Sequence, residues 1–109
     1  MSDFQAITEV LVQFRNERDW DQFHNPKDLA LAISVEAGEL LEVFLWKEAA
    51  EANREKVKEE LADVLAFSFL LAEKYGFNIG EIVLEKVAAN AQKYPIDKAK
   101  GTARKYNEL

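Results

Sequence analysis

The fold is read from one stretch: Asn25-Pro26-Lys27-Asp28-Leu29-Ala30-Leu31-Ala32-Ile33-Ser34-Val35-Glu36-Ala37-Gly38-Glu39-Leu40-Leu41-Glu42-Val43-Phe44-Leu45-Trp46. Asn25 reads as an N-cap and Pro26 as the first helical residue, where its missing N–H costs nothing. A helix is predicted from there to about Ala50. Wound at about 100° per residue, its apolar side chains do not form one stripe. Leu29, Ile33, Leu40, Val43 and Phe44 cover one side; Leu31, Val35, Leu41, Leu45 and Trp46 cover much of the other. A helix apolar nearly all round is buried all round. A small domain rarely encloses such a helix alone, so a second copy is predicted to pack against it, as a dimer or a dimer of dimers.

Working outward, Phe4, Ile7, Leu11, Phe14 and Arg18 recur at helical spacing and predict a helix from about Asp3 to Asp19. Trp20-Asp21-Gln22-Phe23-His24 is a polar–aromatic connector. Asn53 is a candidate cap for a third helix ending near Tyr75, with Gly76 past its end. Asn78-Ile79-Gly80-Glu81 resembles a capping box opening a fourth helix to about Tyr94, which Pro95 stops. The remaining tail is basic through Lys98, Lys100, Arg104 and Lys105. No sustained period-two alternation signals a strand. The expectation is an all-α protein: a four-helix bundle intertwined with a second subunit, forming one domain over residues 1–109.

Composition narrows the function classes. With 14 Lys+Arg against 20 Asp+Glu the formal net charge is −6, so the chain repels polymeric nucleic acid. There is no cysteine, which removes disulfides, thiolate metal sites and cysteine nucleophiles. The opening Met1-Ser2-Asp3-Phe4 lacks the basic flank and apolar run of a signal peptide, and no stretch reads as a membrane span. The expected location is cytoplasmic.

The acids carry the chemistry. Glu36 lies three after Ile33 and four before Leu40, on an apolar stripe, with Glu39 one turn on. Glu60 lies four before Val64 and seven before Phe67, with Asp63 one turn on. Each helix therefore carries an i,i+3 carboxylate pair facing or bordering the interior, where like charges repel. Buried carboxylates must be paired, protonated or metal-bound. Lys47, three turns along, is too far to neutralise Glu36. A hard divalent cation resolves the conflict: oxygen-only ligands on opposed helices suit Mg2+ or Mn2+. Mid-helix Gly38 costs about 1 kcal/mol relative to alanine; it reads as the close approach of another backbone or a ligand, or as a helix–helix contact. Acid pairs at this spacing also occur on ordinary surfaces, as at Glu48 and Glu51, so periodicity points to a metal site and shows no reaction.

Glu36-Ala37-Gly38-Glu39, a 20-residue gap and Glu60-Leu61-Ala62-Asp63 resemble the ExxE…ExxD signature of the MazG-like all-α nucleoside triphosphate pyrophosphohydrolases. The N-terminal segment, from Phe14 through Glu17-Arg18-Asp19-Trp20, Phe23-His24, Pro26 and Leu29, is similar to the dCTP pyrophosphatase branch. So are Glu42, Phe44 and Trp46, then Asn90, Lys93-Tyr94-Pro95, and the closing Arg104-Lys105-Tyr106, Glu108-Leu109. The resemblance implies an intertwined helical bundle, a tetramer built from dimers, with Glu36, Glu39, Glu60 and Asp63 holding Mg2+. It implies that a (d)NTP, dCTP or a modified dCTP among them, is cut to a monophosphate and pyrophosphate by water directed at the α-phosphorus. A glutamate of the first pair, Glu36 or Glu39, would act as general base.

The same resemblance places Trp20, His24 and Trp46 around base and sugar, and Phe67, Asn90, Lys93 and Tyr94 within reach of the substrate. Read from the residues alone, Trp46 has core packing at the subunit contact as its competing reading, His24 a helix-start hydrogen bond, and the Asn90, Lys93 and Tyr94 group a polar helix end. Phe67 stands where the family often has tyrosine, and Leu11 where the nearest branch has histidine. Both departures leave open a broad house-cleaning enzyme without cytosine preference. A non-catalytic helical interaction module is the competing class. A di-iron bundle wants histidines on its helices, and the single histidine, His24, lies in the connector.

Overall fold

The computed structural model describes residues 2–109. Its described residues are helical and turn, without strand, as expected. They fall into two compact units, the first ending at Phe77 and the second spanning Asn78–Leu109.

The first unit holds three long helices: α1 (Asp3–Glu17), α2 (Pro26–Glu42) and α3 (Arg54–Tyr75). Each starts on a side-chain cap. Ser2 and Gln5 form a reciprocal box at α1, with Gln5 N donating to Ser2 Oγ at 3.2 Å and Ser2 N to Gln5 Oε1 at 2.9 Å. Asn25 Oδ1 accepts from the Asp28 amide at 2.9 Å, ahead of Pro26 at the first helical position. Asn53 Oδ1 accepts from the Lys56 amide at 3.1 Å. These bonds satisfy N–H groups that a helix start leaves without partners. Gly76 closes α3 at φ 69°, in the left-handed region where a side chain is strained.

Two predicted boundaries need correction. The first helix ends at Glu17, not Asp19: Asp19 turns left-handed at φ 54°, and the Trp20 amide bonds back to the Arg15 carbonyl at 3.0 Å. That is a Schellman-type stop with aspartate in place of glycine. The second correction is larger, since α2 ends at Glu42 rather than near Ala50. Val43, Phe44 and Leu45 donate to carbonyls three residues back, the tightened pattern of a terminating turn. Trp46 then sits at φ 62°, and Glu48 and Glu51 cap a short 3-10 turn, Ala49–Glu51. No proline or glycine marks this end, so local sequence did not announce it.

Packing is mainly α2 on α3, with α1 also against α3. Phe44, just past the end of α2, lines one pocket with Val57, Lys58 and Leu61 near the start of α3, so the two helices run antiparallel. Leu29, at 1% exposure, and Leu70 and Ala72 are the buried apolar residues of this core. The outer stripe of α2 is uncovered within the chain: Leu31, Val35 and Leu41 are 54%, 59% and 62% exposed.

The second unit contains α4 (Ile79–Lys93) and a single-turn α5 (Ile96–Ala99). Asn78 caps α4 by accepting from the Glu81 amide at 3.0 Å, which is the asparagine half of the predicted box. Pro95 lies between the two helices, as expected of a residue that cannot continue the ladder. Among the described residues no helix is long and apolar enough to cross a membrane.

Candidate metal centre and its aromatic cleft

Glu36 points from α2 to α3 because it shares the face of Leu29, Ile33 and Leu40. Glu60 and Asp63 meet it from α3. Each of Glu36, Glu60 and Asp63 offers a carboxylate oxygen, and these oxygens lie within 4.8 Å of one another. Glu39 is outside that close group, yet lies beside both Glu36 and Glu60. Glu36 and Glu60 are half-buried; Glu39 and Asp63 are exposed.

The acids of this cluster crowd one another. Desolvation pushes the Glu36 carboxyl up to about 7, reinforced by the adjoining Glu39 and the charges of Asp63 and Glu60. Glu60 is raised as well, first by desolvation and then by Glu39 and Asp63. Glu36 Oε2 and Glu60 Oε2 are buried without a hydrogen-bond partner. A buried, unpartnered carboxylate oxygen is costly. Hard oxygen donors, close together and unsatisfied, fit a divalent cation such as Mg2+.

Beside this cluster lies a cleft of about 380 Å3, lined by Leu11 and Phe14 of α1, Trp20 and His24 of the connector, and Asp63 and Phe67 of α3, among others. The Trp20 ring stands edge-on to Phe14 at 5.7 Å, and the His24 ring edge-on to Phe67 at 6.2 Å. His24 Nδ1 is buried and unpartnered. Partial burial lowers the His24 pKa, helped by the Arg15 and Lys74 charges and opposed by Asp21.

Trp20, His24, Asp63 and Phe67 thus share one cavity, and Asp63 belongs to the acid cluster too. Trp46 does not join them: it is 99% exposed on the turn after α2. Among the described residues outside its own helix backbone, a Cβ at Gly38 would meet no atom within 4 Å. Asn90, Lys93 and Tyr94 end α4 in the second unit. There Lys93 Nζ lies 4.9 Å over the Tyr106 ring, and Tyr94 packs edge-on to Tyr106 at 6.2 Å.

Sequence reading missed Arg15, Asp21 and Lys74. Arg18, which continues the apolar spacing of α1, is exposed and lies 3.6 Å over the Phe14 ring. Arg15 is the buried one, 6% exposed. The available signal was its place one turn beyond Leu11; its partner on α3, Glu73, is 58 residues away in sequence and gave none.

A carboxylate cluster on two antiparallel helices, opening on an aromatic cleft, defines an all-α protein with a candidate divalent-metal centre. The chain belongs to the MazG-like family, whose sequence pattern matches residues 31–109. It is 39% identical to dCTP pyrophosphatase 1 of Rattus norvegicus over a 113-residue alignment that covers 96% of this chain and 66% of that protein. The Homo sapiens dCTP pyrophosphatase 1 is likewise 39% identical, with the same coverage of 96% and 66%. The chain spans 66% of the length of these relatives. A crystal structure of a pyrophosphatase from Archaeoglobus fulgidus superposes with a TM-score of 0.81 at 35% identity, covering 87% of this chain and 94% of that one.

Proposed function

We propose that this chain is a Mg2+-dependent nucleoside triphosphate pyrophosphohydrolase that converts a (d)NTP, dCTP or a modified dCTP among them, to a monophosphate and pyrophosphate. The observation that carries this reading is the pair of buried, partnerless oxygens on Glu36 and Glu60, converging with Asp63 beside an aromatic cleft. The names of the relatives point the same way.

Glu36, Glu60 and Asp63 would hold the ion, with Glu39 adjoining. When bound, Mg2+ there neutralises triphosphate charge and lowers the pKa of the attacking water. Of the first pair, Glu39 lies outside the close group and faces solvent, so it is the better placed to accept the proton of that water. The water oxygen bonds to the α-phosphorus, the bond from that phosphorus to its bridging oxygen breaks, and the proton passes through the carboxylate to solvent. Positioning and charge compensation carry most of such a transfer. Trp20 stacks on the base, worth about 1–3 kcal/mol, with His24 and Phe67 closing the cleft. Asn90, Lys93 and Tyr94 are assigned to the phosphates on the family resemblance.

Residues 1–109 serve as one catalytic domain in this reading, and the working form is a cytoplasmic homo-oligomer, a dimer or dimer of dimers. Support comes from the uncovered stripe of Leu31, Val35 and Leu41 on α2, with Gly38 on the same side of the helix, open to a second backbone. A fully exposed Trp46 serves the site of a second copy. The apolar wall formed by Leu11 and Phe67 favours, as a second reading, broad house-cleaning of nucleotides over strict cytosine preference.

The test is pyrophosphate release from a panel of standard and modified (d)NTPs, with Mg2+, Mn2+ or EDTA. Metal-dependent release supports the enzyme, and the rank order names the substrate. No turnover with either metal promotes the non-catalytic helical module.

A further inference from the structure

The connector that carries Trp20 and His24 is anchored by a buried cation. Arg15, at the end of α1, is 6% exposed. Its Nη1 donates to Glu73 Oε2 on α3 at 3.1 Å; its Nε donates to Asn16 Oδ1 at 3.2 Å and forms an ion pair with Asp21 Oδ1 of the connector at 3.4 Å. Lys74, the next residue of α3, bonds the same Asp21 oxygen. The Arg15 carbonyl accepts from the Trp20 amide at 3.0 Å, and the His24 amide donates to the Asp21 carbonyl at 3.0 Å. One residue therefore meets the connector twice, by a backbone hydrogen bond at Trp20 and by an ion pair at Asp21.

A buried guanidinium is costly unless fully paired. Its pairing partners lie on α3, on its own helix and in the connector. What the charge adds is direction. The guanidinium is oriented by hydrogen bonds to Glu73 on α3 and Asn16 on its own helix, and so oriented it pairs by charge with the Asp21 carboxylate that Lys74 bonds. Trp20 and His24 line the cleft along with Phe67, Asp63 and Arg15 itself.

We propose that Arg15, with Asp21, Lys74 and Glu73, forms a positioning latch that sets the Trp20–His24 connector against α3 and so fixes the base-holding wall of the cleft. This assignment rests on the reading of the cleft as a nucleotide site. None of the four residues is asked to touch the phosphates or the metal. The latch acts on the affinity for the base, and the acid cluster acts on the bond cleaved.

Asp21→Asn is the informative variant, because Asp21 is exposed and its loss leaves Arg15 paired with Glu73. With the nucleotide turned over best, KM is expected to rise about tenfold while kcat changes by less than about threefold. Inhibition by tripolyphosphate, which has no base, should be unchanged. Asp21→Glu should recover most of the lost affinity, and Lys74→Gln should reproduce part of the defect. A readout independent of turnover comes from the proton resonances of His24, the single histidine, whose ring lies against Phe67. In Asp21→Asn they should move toward those of a free histidine. A variant with a lower melting temperature but unchanged KM and unchanged His24 resonances would overturn the latch and leave an ordinary ion network. If the wild type turns over no nucleotide, the enzyme reading fails, and unmoved His24 resonances would still refute the latch by themselves.

Discussion

Glu36 sits where leucine or isoleucine would be expected, on the face α2 turns to α3, with a carboxyl pushed up to about 7. Its ordinary value is 4.5, so the folded state binds this proton more tightly than the unfolded chain. By linkage, the metal-free protein should lose stability as pH rises from about 4.5 to about 7, because the unfolded state gives up the proton first. Melting curves in EDTA at about pH 5.5 and about pH 8 should show the lower midpoint at the higher pH, and Mg2+ should restore it there. Glu36→Gln removes the charge and keeps the shape. It should lower metal-dependent turnover at least about a hundredfold, while raising the melting point of the metal-free protein at high pH. Unequal visibility in sequence has a physical cause here. Glu36 and Glu60 stood out because a carboxylate on an apolar stripe violates a local rule that periodicity exposes. Arg15 violates the same rule, but Arg18 fits the apolar spacing of α1 better. Only the packed chain brings Glu73 and Asp21 around Arg15.

At the scale of elements, the caps were readable and one helix end was not. Asn25, Asn53 and Gly76 each do what their residue types do at helix ends. Gly76 is at φ 69°, and a Cβ there would meet nothing within 4 Å. Gly76→Ala should therefore cost a conformational penalty alone, about 1–2 kcal/mol, measured by denaturant unfolding, with KM unchanged. The end of α2 at Glu42 was hidden because Val43-Phe44-Leu45-Trp46 contains no breaker and continues the apolar pattern. The chain stops there through turn hydrogen bonds and a left-handed Trp46, a conformation unfavourable for a bulky residue. The connector between α1 and α2 was legible as a connector, but not the way Arg15 and Lys74 tie it to α3.

For the whole molecule, the fold class followed from periodicity, and the membership in the MazG-like family agrees with it. The apolar surplus in α2 is accounted for only partly by α3. Leu31, Val35 and Leu41 are 54%, 59% and 62% exposed, so each forgoes somewhat over half of the roughly 1.5–3 kcal/mol that full burial would give, which a second copy would recover. Sedimentation should therefore give a dimer or tetramer, and Val35→Glu should shift it toward monomer with a loss of nucleotide turnover. A monomeric wild type with full activity would exclude the proposed assembly. The most direct test of the proposal that a metal held by these acids acts on a triphosphate is hydrolysis of dCTP in water labelled with heavy oxygen, with Mg2+ and with EDTA, followed by mass analysis of both products. The expected result is label in the monophosphate, unlabelled pyrophosphate, and no products in EDTA. Label in pyrophosphate or in free phosphate, or unchanged turnover in EDTA, would contradict it.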